Sequence, residues 1–98
     1  MSNNNNYMSS KHIPNDFDII FYKKAYSDLT HHMNAYDHYK SKIKENRLKS
    51  AQHFYSMYPY FDNNVYKTLH NDLKKMSDEQ RLSHYHHHGH RENRQCSN

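Results

Sequence analysis

Apolar positions recur at helical spacing from the point where any pattern begins. Phe17, Ile20/Phe21, Ala25 and Leu29 advance by three or four residues, and Tyr22, Tyr26 and Met33 form an adjoining stripe, the signature of an amphipathic helix. Asp16 or Asp18 stands where its N-cap belongs. A second helical stretch follows through Ala35, Tyr36, Tyr39 and Ile43. A third runs through Leu48, Ala51, Phe54/Tyr55 and Tyr58, and Pro59 stops it. Beyond the proline, Phe61, Val65, Leu69, Leu73 and Met76 step by four, four, four and three behind Asp62. Ser77 with Gln80 three residues on reads as a capping box that opens a last helix through Leu82 and Tyr85 to His88. Gly89, the only glycine, falls where a left-handed C-cap is expected. No window alternates apolar and polar residues over a strand's length, and no Asn-Gly or Asp-Gly turn is present. The expected fold class is all-α.

Superposing the two halves of this pattern exposes an internal repeat. Phe17-Asp18 matches Phe61-Asp62, Tyr22-Lys23 matches Tyr66-Lys67 and Asp28-Leu29 matches Asp72-Leu73, all at an offset of 44. His38-Tyr39 then matches His84-Tyr85 at 46, and Glu45-Asn46-Arg47 matches Glu92-Asn93-Arg94 at 47. The drift falls in the turn between helices and at Gly89, as expected for duplicated helical hairpins. The organisation predicted is a disordered segment over 1–15, a repeat over 16–47, a connecting helix over 48–60, a second repeat over 61–94 and a tail over 95–98, folded as a small bundle of two tandem hairpins. Every repeated residue has a structural role. Phe-Asp serves as staple and cap, Asp-Leu ends a helix, His-Tyr lies along the next, and Arg47 or Arg94 is free to bond carbonyls or reach Asp28 or Asp72. Caps and buried aromatics at this spacing read as packing.

The pattern F-D-x-x-x-Y…D-L…H-Y…E-N-R resembles a short repeat scattered through proteins of mimivirus-like giant DNA viruses. It is also similar to a unit found in bacterial glycosyltransferases and large surface proteins. The resemblance covers Phe17 to Arg47 and Phe61 to Arg94, and the first copy has Lys42-Ile43-Lys44 where that pattern carries glycine. It implies an accessory helical module without an active site of its own. It also implies the host cytoplasm or the virion as the location if the chain is viral, and association with a glycosyltransferase as one alternative role.

Composition qualifies this picture. Leu, Ile, Val and Phe together supply only 14 of 98 residues, a level at which a highly charged chain would not fold. Ten tyrosines change the expectation to a thin, wet, aromatic core, because the ring buries a large apolar body while its hydroxyl finds a polar partner. The formal charge of +4 and pI near 9.1 are a mild basic excess. Lysines interleave with tyrosines at Tyr22-Lys23-Lys24 and through Tyr39 to Lys44, which makes nucleic-acid binding the runner-up. Four acids among residues 17–47 hold that stretch to +2, and a solvated helix face is the favoured reading. Cys96, the one cysteine, has no intrachain disulfide partner. The longest apolar run, Ile19 to Tyr22, falls far short of the roughly 20 residues that cross a bilayer, and the Asn-rich start lacks the apolar core of a signal peptide. A soluble, unsecreted protein is expected.

His84, His86, His87, His88 and His90 form the one dense set of candidate metal ligands. On a helix, His84, His87 and His88 share a side at i,i+3 and i,i+4, suited to Zn²⁺ or Ni²⁺, although the first copy has Lys40, Ser41 and Lys42 at the sites of His86 to His88. No nucleophile motif and no glycine-rich phosphate loop are present, so neither enzyme activity nor a cofactor is expected. The function expected is a non-catalytic module for protein–protein contact or homodimerisation. Crowded imidazoles that repel one another when protonated would make stability drop as pH falls; the reading favoured beside it is that exposed histidines titrate without consequence for the fold.

Overall fold

The computed structural model describes residues 13–29 and 34–98. Among them lie five α-helices and no strand, packed as a small all-α bundle: α1 (Ile19–Ala25), α2 (Ala35–Ser41), α3 (Ala51–Met57), α4 (Asn63–Leu69) and α5 (Asp78–His84). Single 3₁₀ turns at Ile43–Glu45 and Asn71–Leu73 follow α2 and α4, and α5 runs on into a π-helical turn, Tyr85–Gly89. The segment expected to be disordered over 1–15 lies outside the described residues as far as residue 12, as does Met33; Ile13 packs against the core.

Each α-helix is only seven residues long, well below the roughly 12–15 at which an isolated helix holds in water. Local capping and tertiary burial therefore carry them. All five begin at a side chain that accepts a backbone N–H three residues on: Asp18, Asn34, Ser50, Asp62 and Ser77. Of the two acids expected to open α1, Asp18 is the cap, and Asp16 instead pairs with Lys49 at 2.9 Å. Ser77 and Gln80 form the complete capping box.

Several sequence expectations need correction: the second helix stops at Ser41 and Ile43 lies in the 3₁₀ turn after it, and the third starts at Ala51 behind the Ser50 cap, with Leu48 buried ahead of it rather than within it. The apolar spacing predicts a first helix that reaches Leu29, but α1 ends at Tyr26, whose extended backbone turns the chain while its hydroxyl accepts the Leu48 N–H at 2.8 Å. The apolar row from Phe61 to Met76 is likewise not one helix. His70 is extended, α4 stops at Leu69, and Leu73 reaches the core from a 3₁₀ turn. Gly89 is not a left-handed cap, because no glycine has positive φ; the left-handed residues are Asn46 (φ 57°) and Asn93 (φ 56°). What Gly89 supplies is closeness. A Cβ there would overlap the Tyr66 hydroxyl oxygen and lie 2.7 Å from Tyr85 Cδ1.

The core is mainly aromatic. Tyr22, Tyr66, Phe54, Leu48 and Leu73 are its fully buried side chains. Phe17 packs on Tyr22, Tyr36 and Tyr39 at centroid distances of 5.1–5.5 Å. Phe61 packs on Phe54, Tyr66 and Tyr85 at 4.8–5.2 Å. These tilted and edge-on pairs add dispersion and quadrupole attraction to area burial, which is how so few aliphatic residues hold the bundle. α5 touches α1, α3 and α4, so the helix that leads into the histidine-bearing turn lies between the two halves of the chain.

Candidate functional site

Two chains of polar contacts run along the helix ends. In the first, the Tyr22 hydroxyl lies 3.0 Å from His38 Nδ1, and His38 Nε2 faces the Asp28 carboxylate at 3.6 Å. The carboxylate favours the proton on Nε2, leaving Nδ1 to accept from the tyrosine. Asp28 in turn accepts a two-pronged bond from Arg47 at 3.0 and 2.8 Å, and Arg47 Nε reaches Glu45 at 3.4 Å. In the second half the chain is broken: Tyr66 meets His84 Nδ1 at 2.8 Å, while Asp72, which does not pair with His84, accepts two bonds from Arg94 at 3.0 and 3.1 Å, and Arg94 Nε reaches Glu92 at 2.7 Å. Asn46 and Asn93, in left-handed conformation, each precede the arginine of their own chain. The capping acids also tie back in the same way: the Asp18 N–H donates to the Lys49 carbonyl at 3.0 Å and that of Asp62 to the Cys96 carbonyl at 2.7 Å.

The electrostatics follow from these contacts. The Arg47 fork holds the Asp28 carboxyl below its ordinary range, and Arg94 does the same for Asp72. Burial pushes the Tyr22 phenol up to about 12 and raises that of Tyr66 as well. Hydroxyl, imidazole and carboxylate thus stand in the order of an acyl-transfer relay. Yet Tyr22 is 0% exposed and its phenol is held neutral, so no substrate atom reaches that oxygen.

The histidine cluster divides by direction. His86 is buried, and its Nε2 lies 2.6 Å from the Asn46 carbonyl; since a carbonyl only accepts, Nε2 carries the proton and Nδ1 accepts from the Tyr58 hydroxyl at 3.0 Å. His86 therefore ties the last turn of the second half to the first half and to the end of α3. His90 packs against Tyr58 and Tyr85. His84, His87 and His88 instead line an open cleft of about 500 Å³.

One wall of that cleft is the α5 face and the turn after it: Gln80, Ser83, His84, His87 and His88, at i, i+3, i+4, i+7 and i+8. The other is the end of α1, with Ala25, Tyr26 and Ser27, together with Glu45 and Arg47; Met76 and Arg91 complete the lining. Tyr26 is pinned by its bond to Leu48, and the Arg47 guanidinium carbon sits 4.4 Å above its ring. His87 Nδ1 donates to the Ser83 carbonyl at 2.8 Å. The three histidines share a wall, and among the described residues no three His, Cys, Asp or Glu side chains stand together as a metal-holding group in this structure. The rings are steered by different neighbours, Tyr66 for His84 and Ser83 for His87.

The remaining repeat positions, Leu29, Tyr39 and Tyr85, are half-buried against the core. Sequence reasoning missed Arg81, which is buried at 3% exposure. Its guanidinium donates to the Leu73 and Met76 carbonyls, to Asn63 Oδ1 and to Asp78, closing the loop that follows the 3₁₀ turn. A lone arginine inside a capping-box helix carries no sequence mark of that role. Arg91 and Ser83 were missed as well, although the i+3/i+4 spacing of polar residues along α5 was a signal for the cleft wall. Among the described residues no helix is long and apolar enough to cross a membrane. No protein-family model, curated protein or solved structure matches the chain.

Proposed function

We propose that this chain is a non-catalytic helical repeat module, two tandem hairpins over 16–47 and 61–94 joined through 48–60, that works by contact with a protein partner or a second copy of itself. The observation that carries the reading is that the repeated tyrosine hydroxyls and aspartate carboxylates are all partnered within the fold. Both tyrosine–histidine bonds and both aspartate–arginine forks close on themselves within the fold. What faces outward is an open cleft and a set of large apolar side chains, among them Ile20 at 68% exposure and Tyr60 at 83%. The matching contacts at Tyr22 and Tyr66, Asp28 and Asp72, and Arg47 and Arg94 support the duplication and, with it, the resemblance to the accessory repeats of giant-virus proteins. That resemblance would place the chain in a host cytoplasm or virion, and a glycosyltransferase as partner is the form its bacterial counterparts suggest.

Light scattering combined with melting over a wide concentration range tests the proposal. A melting temperature that rises with concentration supports self-association, and a concentration-independent monomer directs the search to a different protein. The nucleic-acid alternative is disfavoured by Tyr22, which sits beside Lys23 and Lys24 but is wholly buried and offers no face for a base. Steep, salt-dependent binding of random oligonucleotides would replace the protein-contact reading with that one.

A further inference from the structure

We propose that the cleft between α5 and the end of α1 receives a carboxylate side chain presented by an acidic segment of a partner protein. The source of the carboxylate rests on the protein-contact reading above; the site itself does not.

Part of the charge in the cleft is already spent. Arg47 and Lys42 are together balanced by Asp28 and Glu45, and the Arg47 side chain is only 12% exposed. Arg91 also lines the cleft, is exposed, and makes no side-chain hydrogen bond or ion pair among the described residues. Around it stand imidazoles whose orientation is already set. His84 accepts the Tyr66 hydroxyl on Nδ1 and so presents Nε2–H without a partner among the described residues, whereas His87 donates Nδ1–H to the Ser83 carbonyl and offers a second N–H at Nε2 only as the imidazolium. No lysine lines the cleft, and the Glu45 carboxylate there is already paired with Arg47 and Lys42. One uncompensated guanidinium beside imidazoles balances a monoanion. A phosphate group carries about −1.5 to −2 at neutral pH and would be left underneutralised there, whereas a carboxylate matches the guanidinium fork in both geometry and charge.

The walls are built in advance. α5 is fixed by its capping box, Tyr26 by the Leu48 N–H, and Arg47 by its fork, so little ordering is left for binding. The volume of about 500 Å³ lies within the range of sites that take small ligands, and its open side admits a side chain still attached to a peptide.

The test uses the full chain with isotope-labelled histidine and arginine, titrated with acetate, a short polyglutamate peptide, inorganic phosphate, and sodium chloride at matched ionic strength. The expected result is a saturable shift of the His84, His87 and His88 ring signals and of the Arg91 side chain with the peptide, weaker with acetate and absent with chloride. Arg91→Ala and, separately, His88→Gln should each weaken peptide binding about tenfold, the loss of one charge-assisted hydrogen bond, with melting temperature unchanged. Shifts reproduced by chloride, tighter binding of phosphate than of the peptide, or acetate binding with no gain from the peptide would each overturn the proposal. A chain that self-associates or holds a protein partner without these shifts loses the cleft proposal and keeps the module reading. One that binds acetate alone and never a protein loses both.

Discussion

Gly89 shows how tightly a single position is constrained. Tyr66 is fully buried and its hydroxyl is bonded to His84 Nδ1, so the ring cannot yield to a methyl group placed at residue 89 without breaking that bond. Gly89→Ala is expected to cost about 1–3 kcal/mol through overpacking, read as a lower midpoint in chemical denaturation followed by circular dichroism. Tyr66→Phe removes the oxygen that the methyl would meet, at the cost of His84's hydrogen bond. The two substitutions together should therefore cost less than their separate effects added, and strict additivity would show that the clash is relieved elsewhere. In the first half, Tyr22→Phe should simply leave the buried His38 Nδ1 unpaired, a loss of about 1–3 kcal/mol in the same denaturation experiment.

At the scale of the element, two-turn helices depend on their ends. Ser77→Ala removes the oxygen that accepts the Gln80 N–H, one of the two bonds of the capping box, and is expected to destabilise by about 1 kcal/mol. Because α5 carries one wall of the cleft, the same substitution should loosen that wall, measurable as faster amide exchange through the helix; exchange no faster than in the parent would place the hold on α5 in its packing alone. The arginine forks act differently. They bridge segments 19 and 22 residues apart, tying the turn after α1 to Arg47 and the turn after α4 to Arg94. Arg47→Lys keeps the charge but loses the planar pair of bonds. With Asp28 about half exposed, the expected cost is small, roughly 0.5–1 kcal/mol, measurable as a modest fall in the denaturation midpoint.

For the whole molecule, pH is the most direct lever. Burial depresses the pKa of His84 and of His86 below the ordinary 6.5. Repulsion from neighbouring histidines, the cause expected from the sequence, contributes less than burial at both positions. A histidine that is harder to protonate when folded lets the unfolded chain bind more protons below 6.5. Stability is then complete above that value and is lost as pH falls through it towards the depressed folded values. Melting at about pH 7.5 should exceed melting at about pH 5.5. His86→Gln should flatten that difference while lowering stability at the higher pH, since His86 joins Asn46 of the first half to Tyr58 of α3. A slope unchanged in this variant would place the proton-linked group elsewhere.

The caps Asn34 and Ser50 are not legible in the chain before it folds, whereas the all-α class, the helix starts at Asp18, Asp62 and Ser77, the aromatic character of the core and the candidate histidines are. These are local or periodic properties: a cap acts on the N–H three residues away, and burial follows a spacing of three or four. The recurrence of Tyr, Asp, His and Arg at shared offsets is visible there too, and with it the option that Arg47 meets Asp28 and Arg94 meets Asp72. Where helices end is a matter of tertiary contact, because they end where a side chain is drawn to a distant partner, as Tyr26 is to Leu48. Folding in three dimensions also sets His86 inward and His84, His87 and His88 on a cleft with Arg91, since helical spacing fixes which residues share a face but not which neighbours that face meets. The same holds for Gly89, which serves closeness rather than chirality. A missing Cβ meets both needs equally well, and only the presence of Tyr66 and Tyr85 beside it distinguishes them.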